Sequence, residues 1–286
     1  PYDQPTMYKE IRSSRSEFVP IRGLSYHIQH WGGTADPALP PLVLVHGWMD
    51  VAASWQFMVD ALPDAFTQGR TIIAPDWRGF GLTCTADADH YWFADYLADL
   101  DFLLDHYAPG QAVDLVGHSM GGNVAMLYAG VRPERIRKLV NLEGFGMPAS
   151  QPSQAPARYA QWMDELKGLQ RGDLDLKAYD DVGGVARRLM KTNPRLPAEK
   201  AQWLANHWAR PNASGKWEIL GAPAHKITSA QLYRLDEVLE IYQRISAPVL
   251  AIEASDDSMG LWWKGRYSLD EYHERLKQIP DARVAV

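Results

Sequence analysis

Cysteine is almost absent from this sequence, since Cys84 is the only one among 286 residues. One cysteine cannot form a disulfide within the chain, and such sparse use is typical of a reducing compartment, so we expect a cytoplasmic location. No stretch reaches the ~18 consecutive apolar residues of a membrane span. Residues 1–5 also lack the charged and then apolar pattern of a signal peptide. We therefore predict a protein without a membrane span.

Positively charged residues are also fewer than negatively charged ones. Lys and Arg number 29 against 35 Asp and Glu, which gives a formal net charge of −6. Because no basic surplus is available to neutralise phosphates, nucleic acid is not an expected partner. No group of His, Cys and Asp shows metal-ligand spacing, so we expect neither a metal nor another cofactor. Nothing in the sequence selects an oligomeric state.

Apolar residues, by contrast, make up 46% of the chain, which is typical of a folded globular protein. Short apolar runs alternate with helical segments through the first half of the sequence. Strands are predicted over 17–20, 24–30, 42–45, 71–74, 112–116 and 136–142, and helices over 51–62, 91–106 and 122–130. This alternation predicts a mostly parallel sheet with helices on both faces.

The pattern changes between residues 145 and 236. Apolar strands give way to helical segments rich in Gln, Ala, Arg, Leu and Trp. The earlier pattern then resumes with a strand over 249–253, a helix over 268–278 and a last strand from residue 282. We interpret 145–236 as a helical cap inserted into an α/β core formed by 1–144 and 237–286.

The most specific motif is Gly117-His118-Ser119-Met120-Gly121, which follows an apolar strand and precedes a predicted helix. A serine on such a sharp turn presents its hydroxyl to a substrate and a base, and glycines at both ends leave room for the strained backbone. The positive end of the following helix favours developing negative charge. We predict that Ser119 is a nucleophile. His118 is expected to point among packed elements and to have no catalytic role.

Two further motifs occur in order before the serine, His46-Gly47-Trp48 and the segment from Asp76 to Thr83, which reads D-x-R-G-x-G-x-T. With the serine motif they resemble the α/β-hydrolase superfamily over residues 41–131. The resemblance implies that the backbone N–H groups of Trp48 and Met120 form an oxyanion hole. It also implies structural roles for the other motif residues: His46 would brace its loop, and Asp76 and Arg78 would pair to anchor theirs.

In that family the order of catalytic residues is serine, acid, histidine. The segment 248–257 resembles the one that ends in the triad acid, and Asp257 takes that place, with Asp256 as the alternative one residue earlier. Glu143 is a further option, since some members carry the acid after the strand predicted over 136–142. It could also be a pocket residue or cap a helix.

The family places its histidine after the last strand, and no histidine follows residue 282. We expect that the chain continues beyond residue 286 with this base and that a few residues precede Pro1. The alternative is a ligand-binding protein of the same fold without turnover. His207 and His225 fall in the predicted cap, where one of them could reach the mouth of the site.

The resemblance implies that a small-molecule carboxylic ester, or a related thioester, lactone or amide, is cleaved through an acyl-enzyme on Ser119. Carbon–carbon bond hydrolysis and perhydrolysis are alternatives within the same fold. Epoxide opening is disfavoured, because those relatives use aspartate where this chain has Ser119. Six tryptophans either line an apolar pocket or pack the cap onto the core: Trp162, Trp203, Trp208, Trp217, Trp262 and Trp263.

Overall fold

A computed structural model of the protein describes residues 6–83, 85 and 88–286. Cys84 and residues 1–5, on which the predictions about compartment and signal peptide depend, lie outside the described residues. Up to the end of the sixth strand the elements are β1 (Ser14–Ile21), β2 (Leu24–Trp31), β3 (Leu42–Val45), a 3₁₀ helix (Ala52–Trp55), α1 (Gln56–Ala61), α2 (Asp64–Thr67), β4 (Ile72–Pro75), α3 (Phe93–Tyr107), β5 (Val113–His118), α4 (Met120–Val131), a second 3₁₀ helix (Pro133–Arg135) and β6 (Ile136–Leu142). The remaining elements are a third 3₁₀ helix (Pro152–Gln154), α5 (Ala155–Gln170), β7 (Ala178–Tyr179), α6 (Val182–Thr192), α7 (Ala198–Trp208), β8 (Ala209–Pro211), β9 (Trp217–Ile219), a fourth 3₁₀ helix (Pro223–Lys226), α8 (Leu235–Tyr242), β10 (Val249–Ile252), α9 (Ser258–Trp263), α10 (Leu269–Leu276) and β11 (Ala282–Ala285).

Eight strands form the main sheet, in the order β1-β2-β4-β3-β5-β6-β10-β11. The six strands from β4 to β11 pair in parallel, while β1 and β2 join at one side in antiparallel pairs. Because parallel strands need long crossovers, helices lie between them in the chain. This topology confirms the predicted α/β architecture. It also brings the loops that follow β3, β5, β6 and β10 to one edge of the sheet.

Helices cover both faces of the sheet. On one face, buried side chains of α3, α4, α8 and α10 form the largest apolar cluster with the strands. On the other face, Trp55 and Val59 pack against β2, β3 and β4. The central strands β3 and β4 are therefore buried on both sides, which explains why they appear in the sequence as unbroken apolar runs.

The segment between β6 and β10 contains α5, α6 and α7, as well as a small antiparallel sheet in the order β7-β9-β8. The sequence predicts only helices here, because strands of two or three residues are too short to show an alternating pattern. Trp203, Trp208 and Trp217 belong to the apolar cluster of this segment, which also includes Val51 and Ala53 from the core. These three tryptophans thus contribute to packing.

The boundary between cap and core at 236/237 stays a prediction, and α8 crosses it. This helix starts at Leu235, and its side chains Val238 and Tyr242 lie in the largest core cluster. Within the described part of the chain, none of the helices combines the length and the apolar character that crossing a bilayer requires.

Candidate active site

Ser119 lies at the junction between β5 and α4, in a backbone conformation that is rare for a residue with a side chain. Its φ is 53° and its ψ is −117°. The turn is held from both sides, since the Ser119 amide donates to the carbonyl of Leu142 (2.9 Å) and the Asn123 amide donates to the carbonyl of Ser119 (3.0 Å). A strained residue held in this way by its surroundings is typical of functional sites.

The two glycines of the motif are required by space as well as by conformation. A Cβ on Gly117 would lie 2.4 Å from the carbonyl oxygen of Gly121. A Cβ on Gly121 would lie 2.3 Å from the carbonyl oxygen of Val45, at the end of β3. Real Cβ atoms do not approach backbone oxygens so closely. The prediction that glycines leave room for this turn is therefore confirmed.

The turn after β3 lies directly against the serine, because a Cβ on Gly47 would be 3.1 Å from the Cβ of Ser119. Met120 is the first residue of α4, so its N–H is one of those without an acceptor inside the helix. The helix also directs its positive end at this point. Use of the Trp48 and Met120 amides as an oxyanion hole stays a prediction.

His46 braces this turn, as the resemblance implied. The ring is buried, Nδ1 donates to the carbonyl of Gly47 (2.7 Å), and Nε2 accepts from the amide of Trp77 (2.9 Å). Burial lowers the pKa of His46, which favours the neutral ring that this pattern needs, with one nitrogen as donor and one as acceptor. His46 therefore joins the loop after β3 to the loop after β4.

Asp76 and Arg78 do not pair with each other, so that prediction is wrong. Asp76 contacts the His27 ring (2.6 Å) and accepts from the amide of Ala52 (2.8 Å). Arg78 makes two hydrogen bonds of 2.9 Å to the carboxylate of Asp99, on α3. Both side chains anchor the loop, but each uses a partner that is distant in sequence and so is invisible to a local motif.

Two of the three candidate acids are exposed on the loop after β10. Asp257 Oδ1 accepts from the amides of Met259 (3.0 Å) and Gly260 (3.3 Å), so this side chain caps the start of α9. Asp256 instead forms an exposed ion pair of 3.2 Å with Arg195, which follows α6. The loop lies at the same edge of the sheet as Ser119. Asp257 as the triad acid stays a prediction.

Glu143, the third candidate, follows β6 directly and has a φ of 57°, which is uncommon for a residue other than glycine. Its amide donates to the carbonyl of Ile252 (3.0 Å), and its Oε1 accepts from the amide of Ala254 (2.7 Å). The side chain therefore holds the start of the loop that carries Asp257. Whether Glu143 also serves as an acid or pocket residue stays a prediction.

His118 is exposed, so the prediction that it points among packed elements is wrong. It is the last residue of β5, and its ring lies beside the turn after β3, since a Cβ on Gly47 would lie 3.3 Å from its Nδ1. A strand pattern in the sequence predicts the face of the sheet on which a residue lies. It does not predict how far along the strand that face is covered by other parts of the protein.

The remaining histidines are occupied elsewhere. Their neighbours are Asp76 for His27, Glu17 for His30, Trp77 for His46, Trp162 for His90, Tyr107 for His106, Trp203 for His207, Tyr96 for His225 and Glu253 for His273. Among the hydrogen bonds of the described residues, none joins Ser119 to a histidine ring. The nucleophilic role of Ser119 stays a prediction, and the described residues show no histidine that is hydrogen-bonded to it as a base would be.

His225 has a structural role that the sequence did not indicate. Its ring is stacked between Phe80 and Tyr91, with centroid distances of 3.8 Å on both sides. Nε2 accepts from the hydroxyl of Tyr96 (2.7 Å) and Nδ1 donates to the carbonyl of Ala222 (3.2 Å). With both nitrogens engaged, the His225 ring is not placed to act as the base for Ser119.

The His225 segment also joins the region between β6 and β10 to the loops of the candidate site. The backbone carbonyl of His225 accepts from the indole N–H of Trp48 (3.1 Å), and the Ala222 amide donates to the carbonyl of Gly79 (2.9 Å). The turn after β3 and the loop after β4 are thus both attached to one short stretch of the chain between β6 and β10.

Stability is expected to fall in mild acid because of this buried ring. Burial lowers the pKa of His225 to about 3, below the value near 6.5 of an unfolded histidine. As the pH falls, the unfolded chain therefore binds a proton on this histidine at a higher pH than the folded protein does. The contribution of the neutral ring to the free energy of unfolding is complete above pH ~6.5 and is lost as the pH falls from there towards 3. Between pH 7 and pH 5 the loss is about 2 kcal/mol. Urea unfolding at both pH values should show a loss about 2 kcal/mol larger in the wild type than in His225→Gln, in which the buried His46 still contributes; equal pH dependence of the two proteins would contradict the assignment.

Known proteins resemble the chain in both sequence and fold. The family model for the α/β hydrolase fold matches residues 40–283. A serine hydrolase-like protein of Danio rerio is 24% identical over 259 residues, covering 86% of this chain and 74% of that protein. A 2-hydroxy-6-oxo-2,4-heptadienoate hydrolase of Pseudomonas putida is 36% identical over 107 residues, covering 37% of this chain and 38% of that protein. The solved thioesterase domain from the curacin biosynthetic pathway has a TM-score of 0.75 at 22% identity, covering 95% of this chain and 92% of that domain.

The likeness in structure shows the fold, and the family model spans most of the chain. The hydrolase names of the relatives support an enzyme of the hydrolase class. On this evidence the chain belongs to the α/β-hydrolase fold family.

Proposed function

We propose that the protein is a serine hydrolase that cleaves a small-molecule carboxylic ester, or a related acyl compound, through an acyl-enzyme on Ser119. The observation that carries the proposal is the strained turn at Ser119, at the start of α4 and in contact with the turn after β3. This arrangement combines an accessible hydroxyl with amide groups that can receive negative charge.

In the proposed reaction, the Ser119 Oγ attacks the carbonyl carbon while a base takes its proton. The amides of Trp48 and Met120 hold the resulting oxyanion. The tetrahedral intermediate then collapses: the bond to the leaving oxygen breaks, and the base returns the proton to the departing alcohol. Water repeats the sequence on the acyl-enzyme and releases the acid. The proposal requires a histidine as this base, and the hydrogen bonds of the described residues do not identify it.

Asp257 is our first choice for the acid that orients this base. It lies on the loop after β10 and its carboxylate is held by two amides, whereas Asp256 is engaged by Arg195. Glu143 is expected to position the loop through its hydrogen bond to the Ala254 amide.

Two substitutions separate these roles. Asp257→Asn should lower kcat by about 10⁴-fold, because an amide no longer stabilises the charged histidine or selects its tautomer. Glu143→Gln keeps an oxygen that can accept from Ala254, so its effect should stay below ~10-fold. Asp256→Asn is the matched control and should change little. A larger loss for Glu143→Gln than for Asp257→Asn would reverse the assignment.

The direct test of the proposal is covalent labelling of the full-length protein. A fluorophosphonate should add to Ser119, as located by peptide mass spectrometry, and p-nitrophenyl butyrate should be hydrolysed with a burst of p-nitrophenol. Absence of both the Ser119 adduct and ester turnover, in protein that is folded by circular dichroism, would overturn the proposal and favour the ligand-binding alternative.

Cleavage of a carbon–carbon bond next to a ketone is a second candidate. It is favoured by the 36% identity, over 107 residues, with a 2-hydroxy-6-oxo-2,4-heptadienoate hydrolase. Comparing kcat/KM for that dienoate with kcat/KM for p-nitrophenyl butyrate distinguishes the candidates. A value at least 100-fold higher for the dienoate would replace the ester proposal.

A further inference from the structure

A second hydrogen-bonded Ser-His-Asp array lies on the side of the sheet formed by β1, β2 and β4, and does not include Ser119. The Oγ of Ser16 is 2.9 Å from Nε2 of His27, and Nδ1 of His27 is 2.6 Å from Oδ2 of Asp76. Ser16 is exposed, whereas His27 and Asp76 are buried. The three residues come from β1, from β2 and from the position directly after β4, which are neighbours in the sheet.

The proton positions in this array follow from Asp76. Burial alone would raise the pKa of its carboxyl, but the hydrogen bond from His27, with the amide of Ala52, brings that pKa below the ordinary value. Asp76 is thus a carboxylate that accepts hydrogen bonds, including one from the amide of Leu82 (2.9 Å). Nδ1 of His27 therefore donates to Asp76, and in the neutral ring Nε2 is left to accept the proton of Ser16.

An exposed serine whose hydroxyl donates to a histidine held by a buried carboxylate has the geometry of an activated nucleophile, whatever the order of the residues in the chain. Ser14 provides the contrast within the same strand. It is two residues away, on the same face of β1, but its hydroxyl donates to the side-chain oxygen of Gln29 (2.9 Å). An amide oxygen does not take up a proton at neutral pH, so Ser14 is not activated.

We propose that Ser16 is a second base-activated hydroxyl and a modification site for activated acyl and phosphonyl donors. The Ser16 Oγ forms the new bond to carbon or phosphorus, and the bond to the leaving group breaks. His27 Nε2 takes the serine proton and passes it to the leaving group, as p-nitrophenol or hydrogen fluoride. The expected outcome is stoichiometric modification, because turnover would also require donors for the oxyanion.

The test uses the full-length Ser119→Ala protein, so that labelling at the proposed active site cannot contribute. The protein is treated with a fluorophosphonate and separately with p-nitrophenyl acetate, and peptide mass spectrometry gives the rate of adduct formation at each serine. Ser16 should react about 100-fold faster than Ser14 and also about 100-fold faster than Ser153, which is exposed as Ser16 is. Ser16→Ala should remove the adduct.

Equal rates at Ser16 and at both comparison serines, or no adduct at Ser16 in folded protein, would overturn the proposal. The ratio of rates at different serines of one chain requires no variant of the buried His27. A folding defect in such a variant therefore cannot affect this ratio. His27→Gln, if its urea midpoint matches that of the parent, should abolish the excess rate at Ser16; a retained excess would show that the base is not involved. This proposal is independent of the proposed function of Ser119. It is tested in the Ser119→Ala protein, whereas the function of Ser119 is tested in protein that retains Ser119.

Discussion

Replacement of Ser119 by alanine is expected to lower kcat for ester hydrolysis by on the order of 10⁴- to 10⁶-fold. In the proposed mechanism the hydroxyl forms the acyl bond, so its loss would leave only the proposed oxyanion hole and substrate binding to assist direct attack by water. The backbone should be little affected, because serine and alanine both carry a Cβ and meet the φ of 53° at similar cost.

The measurement is steady-state hydrolysis of p-nitrophenyl butyrate by the full-length protein, with urea unfolding as the check on stability. Ser153→Ala is the matched control, since it removes an exposed hydroxyl from the region after β6 and should leave kcat unchanged. A Ser119→Ala protein that kept more than a tenth of the wild-type kcat would exclude Ser119 as the nucleophile.

Gly121→Ala is expected to be among the most destabilising single substitutions in the chain. The new Cβ would lie 2.3 Å from the carbonyl oxygen of Val45 and 2.5 Å from that of His46, and both are backbone atoms at the end of β3. Relief of this overlap requires α4 to move away from the sheet, at a cost of about 3 kcal/mol or more. Any folded protein should also lose activity, because the same movement shifts the Met120 amide.

Urea unfolding measures the first effect and ester hydrolysis the second. Gly33→Ala is the control, because a Cβ there meets nothing within 4 Å and the free energy of unfolding should change by less than ~0.5 kcal/mol. Unchanged stability and kcat in Gly121→Ala would show that the described contact between α4 and β3 is wrong.

The features that sequence analysis predicted correctly are local. The strands β3 and β4 were visible as apolar runs because both of their faces are buried, and the turn at Ser119 was visible because its two glycines are required within five residues. Each of these signals depends on neighbours in the chain. A sequence displays such neighbours directly.

The features that it missed depend on contacts between distant segments. Arg78 pairs with Asp99 rather than Asp76, and the His225 ring is held by residues more than a hundred positions earlier. His118, the last residue of β5, is exposed, and no strand pattern shows how far along a strand the burial extends. The array of Ser16 and His27 likewise exists only because β1 and β2 pair in one register.

By itself, the sequence determined the α/β class, the order of the core strands along the chain and the glycine-flanked serine, because periodicity and backbone sterics act over a few residues. Only the tertiary structure decided which side chains meet. Parallel strands gather their following loops at one edge, so the turn after β3, the serine after β5 and Glu143 after β6 become neighbours there. That convergence depends on the strand order of the sheet, which long-range packing and hydrogen bonding select.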